Sequence, residues 1–292
     1  VYGLHDSYEK LFSYAAENSK EVLLDKQFIK DTYSNNIFQE LAPYSQKNSN
    51  STFVPTKVIV DAFETSQGKS ISEAGSGYNP AKPYENRDSR LKYSIFLEGD
   101  ILPSGAIFKP QPNSGSADAI GSTYIASTTG LNIKKYINSD DFANPANCGI
   151  NIILLRYAEI LLTYAEAKIE LNQIDADVLT AINAVRNGRS DVKQPAVTTT
   201  LQAELREIVR RERAVELAFE GQRLFDIRRW KIAEQVIPGF VEGITYTDAQ
   251  GALVTVQVPA NKIFQVSRHY LWPIPQKERD LMLQQTKELK EK

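Results

Sequence analysis

The sequence predicts a mostly α-helical fold of antiparallel helical hairpins, with a loop-rich insertion and a few short β-hairpins. Three observations lead there. Residues 148–237 carry apolar positions at steps of three and four, joined by short links. Residues 68–147 are broken every few positions by Gly, Pro, Ser and Asn. Residues 244–258 alternate apolar and polar side chains around Asp248-Ala249-Gln250-Gly251.

The elements follow in chain order. Tyr8, Leu11, Phe12 and Ala15 share a face, so residues 6–19 read as a short helix that ends at Asn18-Ser19. Residues 21–29 read as a strand or as a continuation of that helix. Residues 31–53, rich in Asn and Ser, read as loop. Thr56, after Pro55, is placed to cap a short helix carrying Val58, Ile59, Val60, Ala62 and Phe63. Between 68 and 147 the apolar runs are brief: Tyr93–Leu97, Ala106–Phe108, Ile120–Ala126 and Leu131–Ile137. So long a run without regular structure is uncommon inside a domain and is often functional.

From Ile150 the pattern becomes helical. Through residue 172 the polar positions Arg156, Glu159, Thr163, Glu166 and Glu170 form one narrow stripe on an otherwise apolar helix, which predicts burial on most sides. Residues 176–187 form the second helix, with Asp175 or Asp177 as cap and Gly188 as stop. Leu201–Gly221 after Thr198-Thr199-Thr200 is the third, and Phe225–Ile237, stopped by Pro238-Gly239, the fourth. Two consecutive hairpins make a tetratricopeptide-like α/α superhelix, although the strict Gly and Tyr spacing of that repeat is absent. Leu271-Trp272-Pro273-Ile274-Pro275 reads as an extended clamp that packs across the helices, followed by a charged, frayed tail from Gln276. The chain is thus one region in four stretches: 1–67, 68–147, 148–237 and 238–292.

The third helix carries an anomaly. Its apolar stripe has a gap at Glu212, and Glu216 and Glu220 follow at i+4 steps. Three like charges on one ridge repel, and a buried one is costly unless paired. Arg156, Arg213, Arg223, Arg228 and Arg229 are the candidate partners for Glu212. The expected structural network comprises Arg156, Glu159, Glu212, Glu216, Glu220, Arg223, Asp226 and Arg229, with Trp230 as an apolar plug. Arg156, Glu159 and Glu166 are expected to face the ridge. Two carboxylates at close range also fit a glycosidase, but surrounding arginines would lower the pKa that a general acid needs raised.

Composition excludes several classes. Hydrophobic residues at 42% and charged ones at 24% describe an ordinary globular chain. The net charge of −2 argues against nucleic acid as the main partner. The single cysteine, Cys148, rules out an internal disulfide. His5 and His269 are too far apart in sequence to suggest a histidine metal cluster. No di-iron Glu-x-x-His pair and no phosphate loop is present, so no cofactor or metal is expected. The longest aliphatic run, Ile152–Leu155, is too short to span a membrane. Val1-Tyr2-Gly3 opens the chain without a leader, which predicts either a removed export segment or a fragment.

The order of several segments resembles the SusD/RagB family. They are Ala16–Glu21, Val54–Thr56 through Asp61–Phe63, Asn86–Leu91, and Leu155–Leu162 through Ala165–Ala167. Ile182–Arg186 follows, then Glu212-Arg213 through Glu216–Gly221, Arg223 and Asp226–Trp230, and last Leu271–Gln276. Ser89 stands where the family usually has Pro, and the Asn-Pro that commonly follows the last element is absent. The resemblance spans roughly residues 8–278 and is to the family's C-terminal portion. It implies a non-catalytic, surface-exposed outer-membrane protein that binds a glycan or other nutrient and delivers it to a SusC-like TonB-dependent transporter. It also implies membrane attachment only through an N-terminal lipid anchor, which lies outside this chain.

Ligand contact is expected in the loops of residues 72–146. Tyr78 and Tyr84 flank Asn79-Pro80 and Pro83, which stiffen the backbone and can hold rings outward. Tyr124 and Tyr136 are further candidates, and Asn79 offers an amide for sugar hydroxyls. Asn86-Arg87-Asp88 and Arg90 read as a tie between loop and helices. The alternatives are a carboxylate-dependent glycosidase and a helical-repeat scaffold for a peptide or protein. A long apolar groove without an aromatic platform would mark the scaffold.

Overall fold

A computed structural model describes residues 1–290. The chain forms two compact units: Val1–Arg223 with Phe240–Ala260, and Leu224–Gly239 with the residues from Asn261 on.

The large unit opens with two 3-10 turns, Lys10–Phe12 and Tyr14–Ala16, in place of the single helix expected over 6–19. Ser13 interrupts them in an extended conformation while its hydroxyl donates to Lys10 O at 2.7 Å. Strand β1, Val22–Lys26, pairs antiparallel with β4, Ile152–Arg156. The long helix therefore starts at Tyr157 and not at Ile150. β-branched Ile152 and Ile153 favour the ladder, and the Tyr157 N–H donates to Glu21 O at 2.8 Å as the strand ends.

Between these strands lie α1 (Ile37–Leu41), α2 (Lys57–Ala62) and α3 (Ser89–Ser94), then β2 (Ile95–Phe96) paired antiparallel with β3 (Asn132–Ile133). Thr56 is the residue before α2, but its side chain makes no cap bond. Asp88 caps α3 by accepting from the Arg90 N–H at 2.9 Å.

Helices α4 (Tyr157–Glu170), α5 (Ala176–Asn187) and α6 (Gln202–Glu216) share one core. Leu162, Ile169, Val178, Ile182, Val185, Leu205 and Val209 are fully buried in it. Each such side chain contributes about 1.5–3 kcal/mol. Asp175 caps α5, accepting from the Val178 N–H at 3.2 Å. Helix α6 stops at Glu216, short of Gly221, because Phe219 (φ 66°) and Gly221 (φ 85°) turn left-handed. A second core joins Tyr8, Leu11 and Phe12 to Phe38, Tyr136, Cys148, Ile150 and Ile153. A third joins α2, α3, Leu131, Val215 and Ile244.

The hairpin is longer than its alternation suggests. After α7 (Arg223–Arg229) and α8 (Ala233–Val236), β5 runs Gly239–Thr247 and β6 Leu253–Lys262. The Asp248 carboxylate closes its turn on the N–H groups of Gln250 and Ala252, at 2.9 and 2.8 Å. The strand docks closely: the Ile244 N–H donates to Thr129 O at 2.8 Å, and a Cβ on Gly243 would meet that oxygen at 2.2 Å.

In the small unit the expected fourth helix is split into α7 and α8, with Lys231 at φ 55° between them. Two further helices follow, α9 (Val266–His269) and α10 (Gln276–Lys290), so the tail expected to fray is helical. Trp272 is 67% exposed, and Leu271 and Ile274 are exposed beside it. Within its own unit the segment leaves these apolar side chains uncovered. The prolines keep the segment extended, and the Arg228 guanidinium covers the Trp272 ring at 4.5 Å. Trp230 is half-buried under Arg229, 4.8 Å from its ring, and does not form a sealed plug.

Candidate ligand-binding surface

The glutamate ridge of α6 and the turn after it is buried and fully paired. Glu212 accepts from Arg90 at 2.5 Å and from Arg186 at 2.7 Å. Glu216 accepts from Arg90 at 2.8 Å, Arg156 at 2.7 Å and Arg189 at 2.9 Å. Glu220 accepts from Arg156 at 2.6 Å and from Lys135 at 2.8 Å. Glu21 bridges Arg156 and Arg189, Glu64 holds Arg186, and Asp88 holds Arg90. The network ties β1, the ends of α2, α5 and β4, and α3 to one helix.

The partners of Glu212 are not the expected ones. Arg213 serves α4 instead, donating to Thr163 at 3.0 Å and lying 3.7 Å from Glu166. Arg228 bonds Tyr270 O, and Arg229 pairs with Asp226 at 2.8 Å inside the small unit. Arg223 is exposed, and Glu159 is half-buried with Gln222 at 3.5 Å. Arg156 and Glu166 do face α6 and the turn after it. The true partners of Glu212, Arg90 and Arg186, lie in the first turn of the short helix α3 and the last turn of α5, too far from α6 in sequence for periodicity to pair them. The triplet before Arg90 and the turn after Arg186 were the available hints.

Glu216 and Glu220 are held ionised, which makes them poor general acids. Burial alone would raise the Glu216 pKa, but Arg189, Arg156 and Arg90 outweigh it and hold the group well below the usual range. Glu220 is lowered likewise by Arg156 and Lys135. A glycosidase general acid needs the opposite shift. Among the described residues, no group of three or more His, Cys, Asp or Glu side chains is placed to hold a metal.

The predicted tyrosines divide. Tyr136 is 6% exposed, edge-on to Phe12, with its hydroxyl accepting from the Ile153 N–H at 3.0 Å. It packs in the second core and shows only its margin to a recess of about 480 Å³ that it lines with Phe53, Ile133 and Phe219. Tyr84 is half-buried against the third core, and burial raises its hydroxyl pKa. Tyr78 is half-buried with Arg87 5.4 Å over its ring. The recess that Tyr78 and Tyr84 share with Lys57 and Asp61 measures about 10 Å³, room for one water at most. Arg87 ties this loop down by donating to Pro83 O, Val60 O and Phe63 O at 2.6–2.7 Å. Asn79 is exposed, and its side chain accepts from the Ala81 N–H at 3.0 Å.

Tyr124 is different. It is 53% exposed and stacks on Tyr44, with centroids 4.9 Å apart and planes at 22°. Both segments are anchored. The Ser45 N–H donates to buried Asp118 at 2.8 Å, and the Tyr124 N–H to Ser122 Oγ at 3.3 Å. Ile125 beside it is 64% exposed. The pair is a fixed, flat, amphipathic surface. Tyr44 escaped sequence reasoning because its loop reads as plain polar linker; Pro43 before it was the one sign of rigidity.

The sequence model of the SusD family matches residues 20–289. This chain belongs to the SusD family. It is 31% identical over 184 residues to a SusD-like protein of Formosa agariphila, covering 58% of this chain and 35% of that one. It superposes on the crystal structure of a SusD-like carbohydrate binding protein from Bacteroides fragilis with a TM-score of 0.85 and 31% identity, over 96% of this chain and 57% of that one. The surface glycan-binding protein A from Bacteroides thetaiotaomicron, solved in complex with laminarihexaose, shares the fold at a TM-score of 0.56 and 21% identity, over 96% and 54% of the two chains. The chain thus spans little more than half of these solved SusD-type chains. No described helix is long and apolar enough to cross a membrane.

Proposed function

We propose that this SusD-family chain binds a glycan without catalysis, on a platform centred on Tyr44 and Tyr124. The observation that carries it is the stacked pair, an exposed Tyr124 on a half-buried Tyr44, with both segments anchored. A sugar ring presents an apolar C–H face, and a fixed aromatic ring removes that face from water at little entropic cost. The named carbohydrate-binding relative at 31% identity supports the same reading. The paired, depressed carboxylates support a role without turnover.

Surface location in the outer membrane and delivery to a TonB-dependent transporter belong to this proposal through family membership. Tyr78, Asn79 and Tyr84 are secondary candidates, since Tyr78 keeps a partly open ring. Calorimetric titration of the chain with neutral oligosaccharides, repeated with Tyr44→Ala and Tyr124→Ala, tests the reading. Weakened binding at an unchanged melting temperature supports it; unchanged binding overturns it.

A further inference from the structure

A second pair of stacked rings lies on another part of the surface. Phe28 and Tyr33 stack with centroids 5.4 Å apart and planes at 9°. They flank a tight turn closed by reciprocal bonds between Ile29 and Tyr33, each N–H to O at 2.9 Å. The turn is pinned from outside. The Asp31 N–H donates to Asn147 Oδ1 at 2.9 Å, the Asn147 amide donates back to Asp31 at 2.7 Å, and the Phe28 N–H donates to Asn151 at 3.0 Å. Tyr33 is 55% exposed.

Lys26, the last residue of β1, places its ammonium 5.0 Å from the Phe28 ring centre and 5.6 Å from that of Tyr33. Lys26 is exposed, and among the described residues no carboxylate lies within ion-pair reach of it. Its neighbours are committed elsewhere. Asp25 points to the other face of the strand, where it accepts from Asn151 at 3.1 Å; Lys30 pairs with Asp141 at 2.8 Å; and Asp31 holds Asn147. The turn therefore presents flat apolar faces beside an unpaired cation.

We propose that Lys26, Phe28 and Tyr33 form a second saccharide platform, selective for a sugar ring that bears an anionic group, either a uronate carboxylate or a sulfate ester. The ring C–H face stacks on Tyr33 while the anion pairs with the Lys26 ammonium. This inference rests on the glycan-binding reading above but uses different residues from it.

The test is calorimetric titration of the whole chain with three probes: an oligogalacturonate, a sulfated galactan oligosaccharide and a neutral gluco-oligosaccharide. Each is run against the parent, Lys26→Gln, Tyr33→Ala and Tyr124→Ala. Lys26→Gln is expected to weaken one or both anionic probes at least fivefold, to leave the neutral probe unchanged, and to keep the melting temperature, since Lys26 is exposed. The deficit should shrink at high salt, where the pair is screened. The probe that loses more distinguishes uronate from sulfate. Equal anionic binding by the parent and Lys26→Gln overturns the proposal, as does a parent that binds neither anionic probe. Neutral binding lost in Tyr124→Ala, with no anionic binding in any variant, sinks this inference alone. Anionic binding that needs Lys26 and Tyr33 but ignores Tyr124 supports it even if the first platform fails.

Discussion

Arg90 and Glu212 are 122 positions apart in the chain and meet at 2.5 Å with both side chains buried. The contact joins the loop-rich half to α6, and Arg90 reaches Glu216 on the next helical turn as well. A buried pair is retained at a desolvation cost, so losing one partner is far worse than never having had either. Glu212→Ala should destabilise the protein by about 3–5 kcal/mol. Glu207→Ala, on the exposed face of the same helix, should change stability by less than about 0.5 kcal/mol. Urea denaturation of both variants checks this.

Acid should weaken the fold through the same network. The Glu216 and Glu220 carboxyls are held below their ordinary range. A group whose folded pKa is depressed contributes stability above its unfolded value, near ~4.3, and loses it as pH falls toward the folded value. The melting temperature should therefore fall steadily below about pH 5. In Glu216→Gln that acid slope should be shallower, with lower stability at pH 7. Thermal scans from pH 3 to pH 8 read both; parallel curves would contradict the assignment.

Gly243 is a close-approach site. A Cβ there would sit 2.2 Å from Thr129 O, so Gly243→Ala must push the hairpin off the loop. Hydrogen exchange at the Ile244 amide, which bonds that oxygen, should rise in Gly243→Ala while the amides of α4 and α5 stay protected.

Tyr136→Ala should cost about 3–5 kcal/mol, the range for large buried rings. Its affinity for a neutral oligosaccharide should match the parent when measured well below the melting temperature. Reduced affinity in a folded Tyr136→Ala protein would return that ring to the binding surface.

Much of the helical half was legible in the sequence. α4, α5 and α6 announce themselves by periodicity, Asp175 by its capping position, and the buried ridge by one carboxylate in an apolar stripe. The errors have local causes. Ile152–Arg156 is as compatible with a strand as with a helix, and only its distant partner Val22–Lys26 decides. Trp272 is hydrophobic enough to suggest burial, and within its own unit the Arg228 guanidinium covers its ring. Glu212's partners were missed because the contacts to Arg90 and Arg186 close over 122 and 26 residues, a relation no window contains. The stacked pair was only half legible: Tyr124 stood out by its loop, but its partner Tyr44 lies 80 positions earlier in a stretch without pattern.

The most direct measurement is the affinity of Tyr124→Ala for a neutral gluco-oligosaccharide, set against its melting temperature. The account predicts binding weakened about fivefold, the worth of roughly 1 kcal/mol of aromatic contact, with the melting temperature within a degree or two of the parent. Unchanged affinity in a folded Tyr124→Ala protein would contradict the account and move the binding surface elsewhere.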